Sequence, residues 1–439
     1  MLDLAFIREH PDLIKSVARR RKADVDVDAL LALDAELRET RRRAEDLRAE
    51  QNRLTKSIRE AGADREALIA RGREVASSLK ELEPRERELE ARLRTLWLLV
   101  PNIPDVTVPE GQSEEDNVET KRWGTPPEFG FEPLDHVSLM RGLDMLDLER
   151  GVKIAGSRSY ILKGDAALLE LALLQFALDS VSRQGFTPLS VPAMAKEFSF
   201  IGNGQFPRGR DQTYALPEDE LYLVGTAEVS ITGMHSGEIL RAEDLPIKYA
   251  AWSPCFRREA GTYGKDTRGI IRVHQFEKVE QYIICRADHE ESVRWHEELL
   301  RIAEELVRAL QLPYRVVNVC TGDLGDAKVK GYDIETWMPS EHRYRETHSD
   351  SYFHDYQARR ADIRYRGEDG VVRYAHTLNN TALARRGPLP LWSRIISRRT
   401  AQCACPPRCG RILAGARRWA APGGSRCPFT AGRKPPSPS

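Results

Sequence analysis

Residues 255–280 constrain the fold more than any other part of this 439-residue chain. The segment reads as two extended stretches joined by a glycine-rich loop at 261–269, and β-branched and aromatic residues predict a strand over 270–284. Side chains alternate across a strand, so several charged groups share one face of the two stretches. These positions are Arg257 and Glu259 on the first stretch and Arg272, His274, Phe276, Lys278 and Glu280 on the second. Because charged groups are costly to bury, the face predicts either the wall of a polar cavity or an exposed hairpin laced with salt bridges.

The order of the residues favours the cavity. Phe-Arg-x-Glu-Ala-Gly at 256–261, followed by a loop and by Arg-x-His-Gln-Phe-x-Lys-Val-Glu at 272–280, resembles motif 2 of the class II aminoacyl-tRNA synthetases in the form found in the seryl-tRNA synthetase family. The resemblance implies an α+β fold with an antiparallel sheet flanked by helices, preceded by an N-terminal antiparallel helical hairpin. It also implies a homodimer that activates L-serine with ATP and Mg²⁺ to seryl-adenylate and transfers the seryl group to the 3′ end of tRNA(Ser). The sequence leaves open whether tRNA(Sec) is a second substrate.

Composition and charge narrow the cellular setting. Hydrophobic residues make up 41% and charged residues 31%, as in a soluble globular protein. No apolar run approaches membrane-spanning length, and the first ten residues lack the basic start and apolar core of a secretory signal. We therefore expect no membrane association and a cytoplasmic location. Residues 1–384 carry 55 basic against 67 acidic side chains, so any RNA contact must be a local basic patch.

The N-terminal region 1–105 contains two helical repeats around the turn-like residues 61–64. Apolar positions recur every three or four residues on each side, which predicts an antiparallel helical hairpin, with Pro84 kinking the second helix or marking an irregular turn. The first seam is Leu30, Leu33, Leu37, Thr40, Ala44, Leu47, Gln51, Leu54 and Ile58. The second is Leu68, Gly72, Val75, Leu79, Leu82, Glu86, Leu89, Leu93, Leu96 and Val100.

The hairpin has two interpretations, a dimerisation coiled coil or spacer and a tRNA-binding arm. The resemblance favours the arm, because an N-terminal helical arm grips the long variable arm of the tRNA in seryl-tRNA synthetases. Basic residues of the first helix are candidates for phosphate contacts, although pairing with glutamate across a solvated face is equally expected. They are Arg41, Arg42, Arg43, Arg48, Arg53, Lys56 and Arg59.

Residues 106–133 are rich in proline, glycine and acidic residues and predict a linker into a catalytic domain at 134–384. An amphipathic helix is predicted at 165–183, followed by a strand that ends at Pro192. Helix, strand and proline in this order resemble class II motif 1, which builds the dimer interface in that class.

Thr226, Ala227 and Glu228 follow a short apolar strand. By themselves they predict a helix N-cap with an acidic first turn. The resemblance implies that they bind the ammonium group of serine and its neighbouring atoms. It further implies that Arg257 is the catalytic residue, bridging the serine carboxylate and the α-phosphate of ATP, and that Glu280 holds the serine hydroxyl.

The remaining site residues are also implied by the resemblance. Glu259 is expected to accept from the adenine amine beside Arg258, with the Val273 backbone completing the adenine site and Phe276 stacking on the ring. The Arg-Glu-x-x-Ser pattern at 345–349 places Glu346 and Ser349 as Mg²⁺ ligands and Thr347 and His348 in the ATP site. Thr381, at the start of motif 3, is expected to contact serine.

The resemblance breaks after Ala384. Residues 385–439 hold eleven arginines, one lysine, nine prolines, four cysteines and no acidic residue, and we expect this tail to be disordered. The phosphate-clamping arginine of motif 3, expected near position 387, is missing. Three explanations compete: a natural basic tail, a metal-binding appendage and translation in the wrong frame.

The wrong-frame hypothesis has support in the sequence itself. Reading the last base of each codon with the first two of the next, residues 384–387 can encode Thr-Pro-Arg and residues 399–407 can encode Asp-Gly-Thr-Val-Arg-Val-Pro-Ala. These strings resemble the usual end of the family, which indicates a frameshift near codon 384. If the tail is genuine, the alternative function is a catalytically impaired, synthetase-like tRNA-binding protein.

Overall fold

The computed structural model describes residues 1–60, 65–261 and 269–384. They divide into two compact units, Met1–Pro101 and the chain from Asn102 onward. The predicted tail, the turn at 61–64 and most of the glycine-rich loop lie outside the described residues.

The helices are α1 (Leu4–Glu9), α2 (Pro11–Arg20), α3 (Val27–Glu60), α4 (Arg65–Trp97), α5 (His136–Gly142), α6 (Leu148–Ala155), α7 (Asp165–Ser182), α8 (Glu197–Asn203), α9 (Ala227–Met234), α10 (His289–Ala309) and α11 (Tyr356–Ala361). The strands are β1 (Val118–Trp123), β2 (Leu146–Asp147), β3 (Ile161–Leu162), β4 (Thr187–Ser190), β5 (Met194–Lys196), β6 (Ala215–Leu216), β7 (Leu221–Leu223), β8 (Ile239–Arg241), β9 (Ile247–Phe256), β10 (Gln275–Cys285), β11 (Tyr314–Asn318), β12 (Lys330–Met338), β13 (Arg343–Tyr352), β14 (Arg364–Arg366), β15 (Val372–Tyr374) and β16 (His376–Ala384). None of the described helices is long and apolar enough to cross a bilayer.

The N-terminal unit confirms the predicted helical hairpin. α3 and α4 pack along their length, and the heptad positions face inward: Leu30, Leu33, Leu37, Ala44, Val75, Leu79, Leu89 and Leu93 are all buried. Burying each leucine is worth about 1.5–3 kcal/mol, which is what holds two otherwise polar helices together. Pro84 lies inside α4, and the helix continues through it.

Ion pairs cross between the two helices. Arg41 contacts Glu86 at 3.0 Å, and Arg71 of α4 contacts Glu50 of α3 at 2.8 Å. Arg42 pairs within α3, with Glu39. The pairing that the sequence allowed as an alternative to phosphate contact therefore occurs at Arg41 and Arg42.

The second unit is built on an eight-stranded sheet in the order β1-β11-β12-β13-β16-β10-β9-β4. All its neighbours are antiparallel except β4 and β9, which are parallel. On one face Val279, Ile283 and Cys285 pack in the core with α7 and α10, and on the other Tyr282 and Ile284 pack with α9 and α11. The predicted α+β class with an antiparallel sheet flanked by helices is confirmed.

The stretch 106–133 is more than the linker that the sequence predicts. It contains β1, which pairs with β11 and forms one edge of the large sheet. Five of its six residues are exposed. An edge strand pairs with a neighbour on one side only, and the side chains of this one stay in solvent, so it needs no apolar face. For this reason hydrophobic alternation gave no sign of the strand.

The predicted strand over 270–284 begins later than expected. β10 starts at Gln275, and Ile270 and Val273 are instead buried in the core outside any strand. The predicted helix at 165–183 is α7, with Arg183 as its C-cap residue. The strand after it is β4.

Candidate active site

A cavity of about 370 Å³ opens on the sheet face that carries α9 and α11. It is lined by side chains from β10, β13 and β16, from the start of α9 and from the turn before β12. Nine residues predicted from the sequence line it: Thr226, Glu228, Arg257, Phe276, Glu280, Glu346, Thr347, Ser349 and Thr381. The charged strand face is therefore the wall of a polar cavity and not an exposed hairpin.

Strand alternation brings Phe276, Lys278 and Glu280 to the cavity side of β10. Lys278 forms an ion pair with Glu280, and its Nζ donates to Thr226 Oγ1 at 2.8 Å. Thr226 Oγ1 in turn donates to Glu280 Oε2 at 3.3 Å. Glu280 is 2% exposed, so its charge depends on these two partners. Thr381 stands directly opposite Glu280 in the register of β10 and β16.

Thr226 has both roles that the sequence offered. It is the N-cap of α9, where its side chain accepts a hydrogen bond from the Glu228 backbone N–H, and it also lines the cavity. A capping residue has a fixed backbone, so its hydroxyl is held in place before any ligand binds. The Ala227 methyl group lies in the core, and this predicted serine contact does not line the cavity.

Glu228 is held from behind by an amide. Gln357 Nε2 donates to Glu228 Oε1 at 2.6 Å, and Gln357 Oε1 accepts from Thr377 at 2.6 Å and from Tyr282 at 3.3 Å. Burial raises the pKa of the Glu228 carboxyl, and the charge of Glu280 adds to the rise. A bound ammonium group has the opposite effect, so this end of the cavity suits a cation.

Arg257 comes directly after β9, and two backbone groups hold it. Its N–H donates to His274 O at 2.9 Å, and its Nε donates to Gly225 O at 3.4 Å. The guanidinium carbon lies 5.2 Å from the centre of the Phe276 ring. One face of that ring therefore already contacts a cation.

Four predicted nucleotide residues do not line the cavity. Glu259 is paired with Arg272 at 3.2 Å, and the Val273 side chain is buried in the core. The Arg258 backbone N–H donates to Gln212 O at 2.9 Å. These residues flank the segment 262–268, which is not among the described residues.

His348, the fourth, lies on the opposite face of β13. Strand alternation that points Thr347 and Ser349 to the cavity turns the His348 imidazole into the core, where it is 2% exposed. Burial lowers its pKa to about 4. The predicted ATP contact therefore does not involve this side chain.

Oxygen donors suited to Mg²⁺ meet at the other end of the cavity. Glu346 and Ser349 line it, and Asp333 lies opposite Ser349 on β12 with its Oδ1 buried and without a hydrogen-bond partner. Burial raises the pKa of Asp333 to about 7, with the charge of Glu346 adding to the rise. Among residues 1–60, 65–261 and 269–384, no three His, Cys, Asp or Glu side chains are grouped to hold a metal alone. Mg²⁺ commonly takes one or two carboxylates together with substrate phosphates and water, which this donor set fits.

Comparison with known proteins identifies the family. Residues 1–104 match the family model of the seryl-tRNA synthetase N-terminal domain, and residues 213–387 match that of the class II core domain for G, H, P, S and T. The serine–tRNA ligase of Deinococcus radiodurans is 51% identical over 385 residues, covering 88% of this chain and 91% of that protein. The chain belongs to the seryl-tRNA synthetase family.

Solved seryl-tRNA synthetases share the fold as well. The enzyme from Pyrococcus horikoshii, complexed with ATP, is 39% identical with a TM-score of 0.86, covering 94% of this chain and 98% of that one. The cytoplasmic serine–tRNA ligase of Naegleria fowleri, in complex with AMP, is 30% identical with a TM-score of 0.81, covering 94% of this chain and 97% of that one. Another relative, from Thermobifida fusca, is 45% identical over 393 residues, covering 88% of this chain and 91% of that protein.

Among the cavity residues of this family member that received no role from the sequence are Lys278, Lys328, Gln357 and Asn379. Residues two apart on a strand share a face, so alternation could have placed Lys278 beside Glu280 and Asn379 beside Thr381 on the cavity side. Lys328 and Gln357 reach the cavity from a turn and from α11. No local pattern marks them, because only the tertiary fold brings them there.

Proposed function

We propose that this chain is a serine–tRNA ligase that condenses L-serine with ATP to seryl-adenylate and transfers the seryl group to tRNA(Ser). The observation that carries the proposal is the arrangement of Arg257, Glu228 and Glu280 around one cavity. A forked cation suits a carboxylate and a phosphate, and two buried carboxyl groups suit an ammonium and a hydroxyl. Membership of the family and the ATP-bound relative from Pyrococcus horikoshii support ATP as the second substrate.

The reaction needs positioning more than proton transfer. Arg257 holds the serine carboxylate against the α-phosphate, at the distance and angle of attack, and balances the charge that develops at phosphorus. Thr226, Glu228 and the Ala227 backbone hold the ammonium group. No general base among the proposed site residues is required, because the attacking carboxylate is already ionised.

Glu280 explains the choice of serine. It accepts from the substrate hydroxyl, with Thr381 on the facing strand closing that end. Alanine has no hydroxyl to donate to Glu280, so the hydrogen bond that serine makes is lost, and sites of this kind discriminate by about 10⁴-fold. Threonine also carries a hydroxyl, so only lack of space for its extra methyl group can exclude it. Steric exclusion of one methyl group gives weaker discrimination.

The nucleotide is assigned to the other half of the site. Glu259 accepts from the adenine amine next to Arg258 and the Val273 backbone, and Phe276 offers its ring. Glu346 and Ser349 would hold Mg²⁺, and Thr347 lies between them on β13. When bound, the ion neutralises the ATP phosphates.

We assign the binding of tRNA(Ser) to the α3–α4 hairpin. We also propose that the catalytic unit forms the interface of a homodimer, and that the protein acts in the cytoplasm. Exposed apolar side chains on α7, β9 and α8 support the dimer: Leu168, Leu171, Trp252 and Phe198 are 48%, 60%, 39% and 51% exposed. Light scattering measures the mass of the assembly. Charging of tRNA(Ser) and tRNA(Sec) transcripts side by side determines whether the second is a substrate.

ATP–pyrophosphate exchange tests the activity. We expect the chain with its reading frame restored after codon 384 to exchange with serine and not with alanine, and absence of serine exchange by that enzyme refutes the proposal. The chain with the present tail is expected to exchange weakly or not at all. Resequencing of the codon 384 region tests the frameshift, since an intact single frame contradicts it.

The second candidate, a tRNA-binding protein without catalysis, rests on the motif 3 arginine that is missing near position 387. It predicts tight binding of tRNA(Ser) by the present chain with no exchange. It also requires that resequencing finds the tail in frame.

A further inference from the structure

Lys328 lines the cavity beside the two proposed Mg²⁺ ligands, and the proposed reaction does not use it. Its Nζ donates to Ser349 Oγ at 3.0 Å, and both residues line the cavity with Glu346. Ser349 is one of the two proposed Mg²⁺ ligands. The ammonium group therefore occupies a ligand oxygen that the metal requires.

The lysine stem is held in this position by the local backbone. The Lys328 N–H donates to Gly325 O at 2.9 Å, which closes a tight turn. A Cβ added at Gly331 would come within 3.6 Å of Lys328 Cδ, and one at Gly325 within 3.8 Å of its Cε. The lysine stem thus passes close to two glycines, Gly325 and Gly331, before its ammonium group reaches Ser349.

The surroundings of the ammonium are acidic. Asp333 faces Ser349 across β12 and β13, and Asp350 follows Ser349 on the same strand. Both are buried, and the positive charge of Lys328 acts favourably on each. Asp333 and Glu346 are on the Ser349 side of the sheet, whereas the Asp350 carboxyl lies 3.4 Å from His296 on the other face, so two carboxyl groups favour a cation beside Ser349.

We propose that Lys328 is a tethered cation that takes the place of the divalent metal on Ser349 and must be displaced before the metal binds. Two positive charges a few ångströms apart repel each other, so the lysine weakens binding of the metal alone. ATP relieves the conflict, because its phosphates accept the displaced ammonium. The inference rests on the proposed metal site at Glu346 and Ser349.

Titration of the full chain with Mn²⁺, followed by the electron paramagnetic resonance signal of the free ion and without nucleotide, tests the proposal. Lys328→Met keeps the stem and removes the charge, and we expect it to bind Mn²⁺ about fivefold more tightly than the unchanged protein. Lys328→Ala is expected to move the affinity in the same direction. Lys330→Met is the matched control, since the Lys330 ammonium lies 4.7 Å from the Tyr332 ring centre; its Mn²⁺ affinity should stay unchanged.

Thermal melts of all variants confirm that they fold. Unchanged or weaker Mn²⁺ binding by both Lys328 variants overturns the proposal. So does weaker ATP binding without tighter Mn²⁺ binding, which makes Lys328 a phosphate ligand instead. Glu346→Gln distinguishes the proposed metal site from the proposed role of Lys328. If this variant leaves Mn²⁺ binding unchanged, the metal site itself is wrong. If it weakens Mn²⁺ binding while Lys328→Met has no effect, only the inference about Lys328 fails.

Discussion

The amide of Gln357 donates to the buried carboxyl of Glu228 across 2.6 Å, so a residue of α11 fixes a group on α9. Gln357→Leu leaves that carboxyl without its partner. Because an unsatisfied buried acceptor costs about 1–3 kcal/mol, we expect kcat/KM for serine to fall about tenfold or more in the frame-restored enzyme. Exchange kinetics with serine varied and then with ATP varied make the measurement.

The fall should appear in KM for serine and not in KM for ATP. Gln175→Leu is the control, because Gln175 donates to Asp179 at 2.7 Å on the exposed side of α7. Equal losses for both substrates contradict a positioning role for Gln357.

Lys278 is expected to stabilise the fold as well as the site. Lys278→Met removes the partner of Glu280 where both side chains are almost fully buried. Breaking a buried pair from one side costs about 3–5 kcal/mol, which urea denaturation measures as the free energy of unfolding. Lys163→Met breaks an exposed pair with Asp144 and should cost about 1 kcal/mol or less. A loss of similar size in both variants refutes the assignment.

Glu280 should set the preference for serine over alanine. Glu280→Ala removes the hydroxyl acceptor, so we expect the ratio of kcat/KM for serine to that for alanine to fall at least about 100-fold. Exchange assays of the frame-restored enzyme with each amino acid give the ratio. Glu277→Ala, on the opposite face of β10, is the control. A ratio that survives in the Glu280 variant places selection elsewhere.

The buried His348 makes stability depend on pH. Its pKa in the folded protein is about 4, below the usual value of 6.5, so below pH 6.5 the unfolded chain binds a proton that the folded protein refuses. This contribution to stability is therefore present at pH 7 and is lost as the pH falls from 6.5 towards 4. Between pH 7 and pH 4.5, we expect the free energy of unfolding to fall by about 2–3 kcal/mol less in His348→Leu than in the unchanged protein.

Urea denaturation at the two pH values measures the difference. The exposed His342 offers a matched substitution, His342→Leu, whose pH dependence should follow that of the unchanged protein. A parallel pH dependence for His348→Leu shows that the imidazole does not carry the effect.

The arginines of the α3–α4 hairpin should differ in their contribution to tRNA binding. Arg48 and Arg53 form no ion pair with any residue in the described part of the chain, whereas Arg85 pairs with Glu36 and with Glu88 at 2.9 Å. Replacing Arg48 or Arg53 with alanine should weaken tRNA(Ser) binding and lower the salt dependence by about one counterion each. Arg85→Ala should change neither. Filter binding across salt concentrations makes the comparison, and equal effects at all three positions contradict it.

The sequence predicted those parts of the fold in which pattern and burial coincide. The seams of α3 and α4 were predictable because a two-helix packing must repeat with the helix. β1 was missed because an edge strand with exposed residues such as Glu119 and Arg122 carries no apolar alternation. His348 was misplaced for a different reason, since a motif assigns a whole string to a site while a strand sends alternate residues to opposite faces.

The site shows the same division. Arg257, Glu280 and Thr226 follow from local spacing and family resemblance, and the cavity contains them. Gln357 and Lys328 were not predictable, because their contacts join segments more than 20 residues apart. Thr226 combines the two roles that its sequence context indicates, since one hydroxyl caps a helix and lines the cavity at once.

β16 lies between β13 and β10 near the middle of the large sheet and ends at Ala384. Every ladder that residues up to 384 form in that sheet is therefore encoded upstream of the point where the composition changes. A gene altered at this point still encodes the strands described above, and only the segment downstream of β16 changes. Protein quality control that recognises unfolded chains therefore finds none of these strand pairings missing. Selection against such a change would have to act through charged tRNA, the product, and not through the fate of the polypeptide.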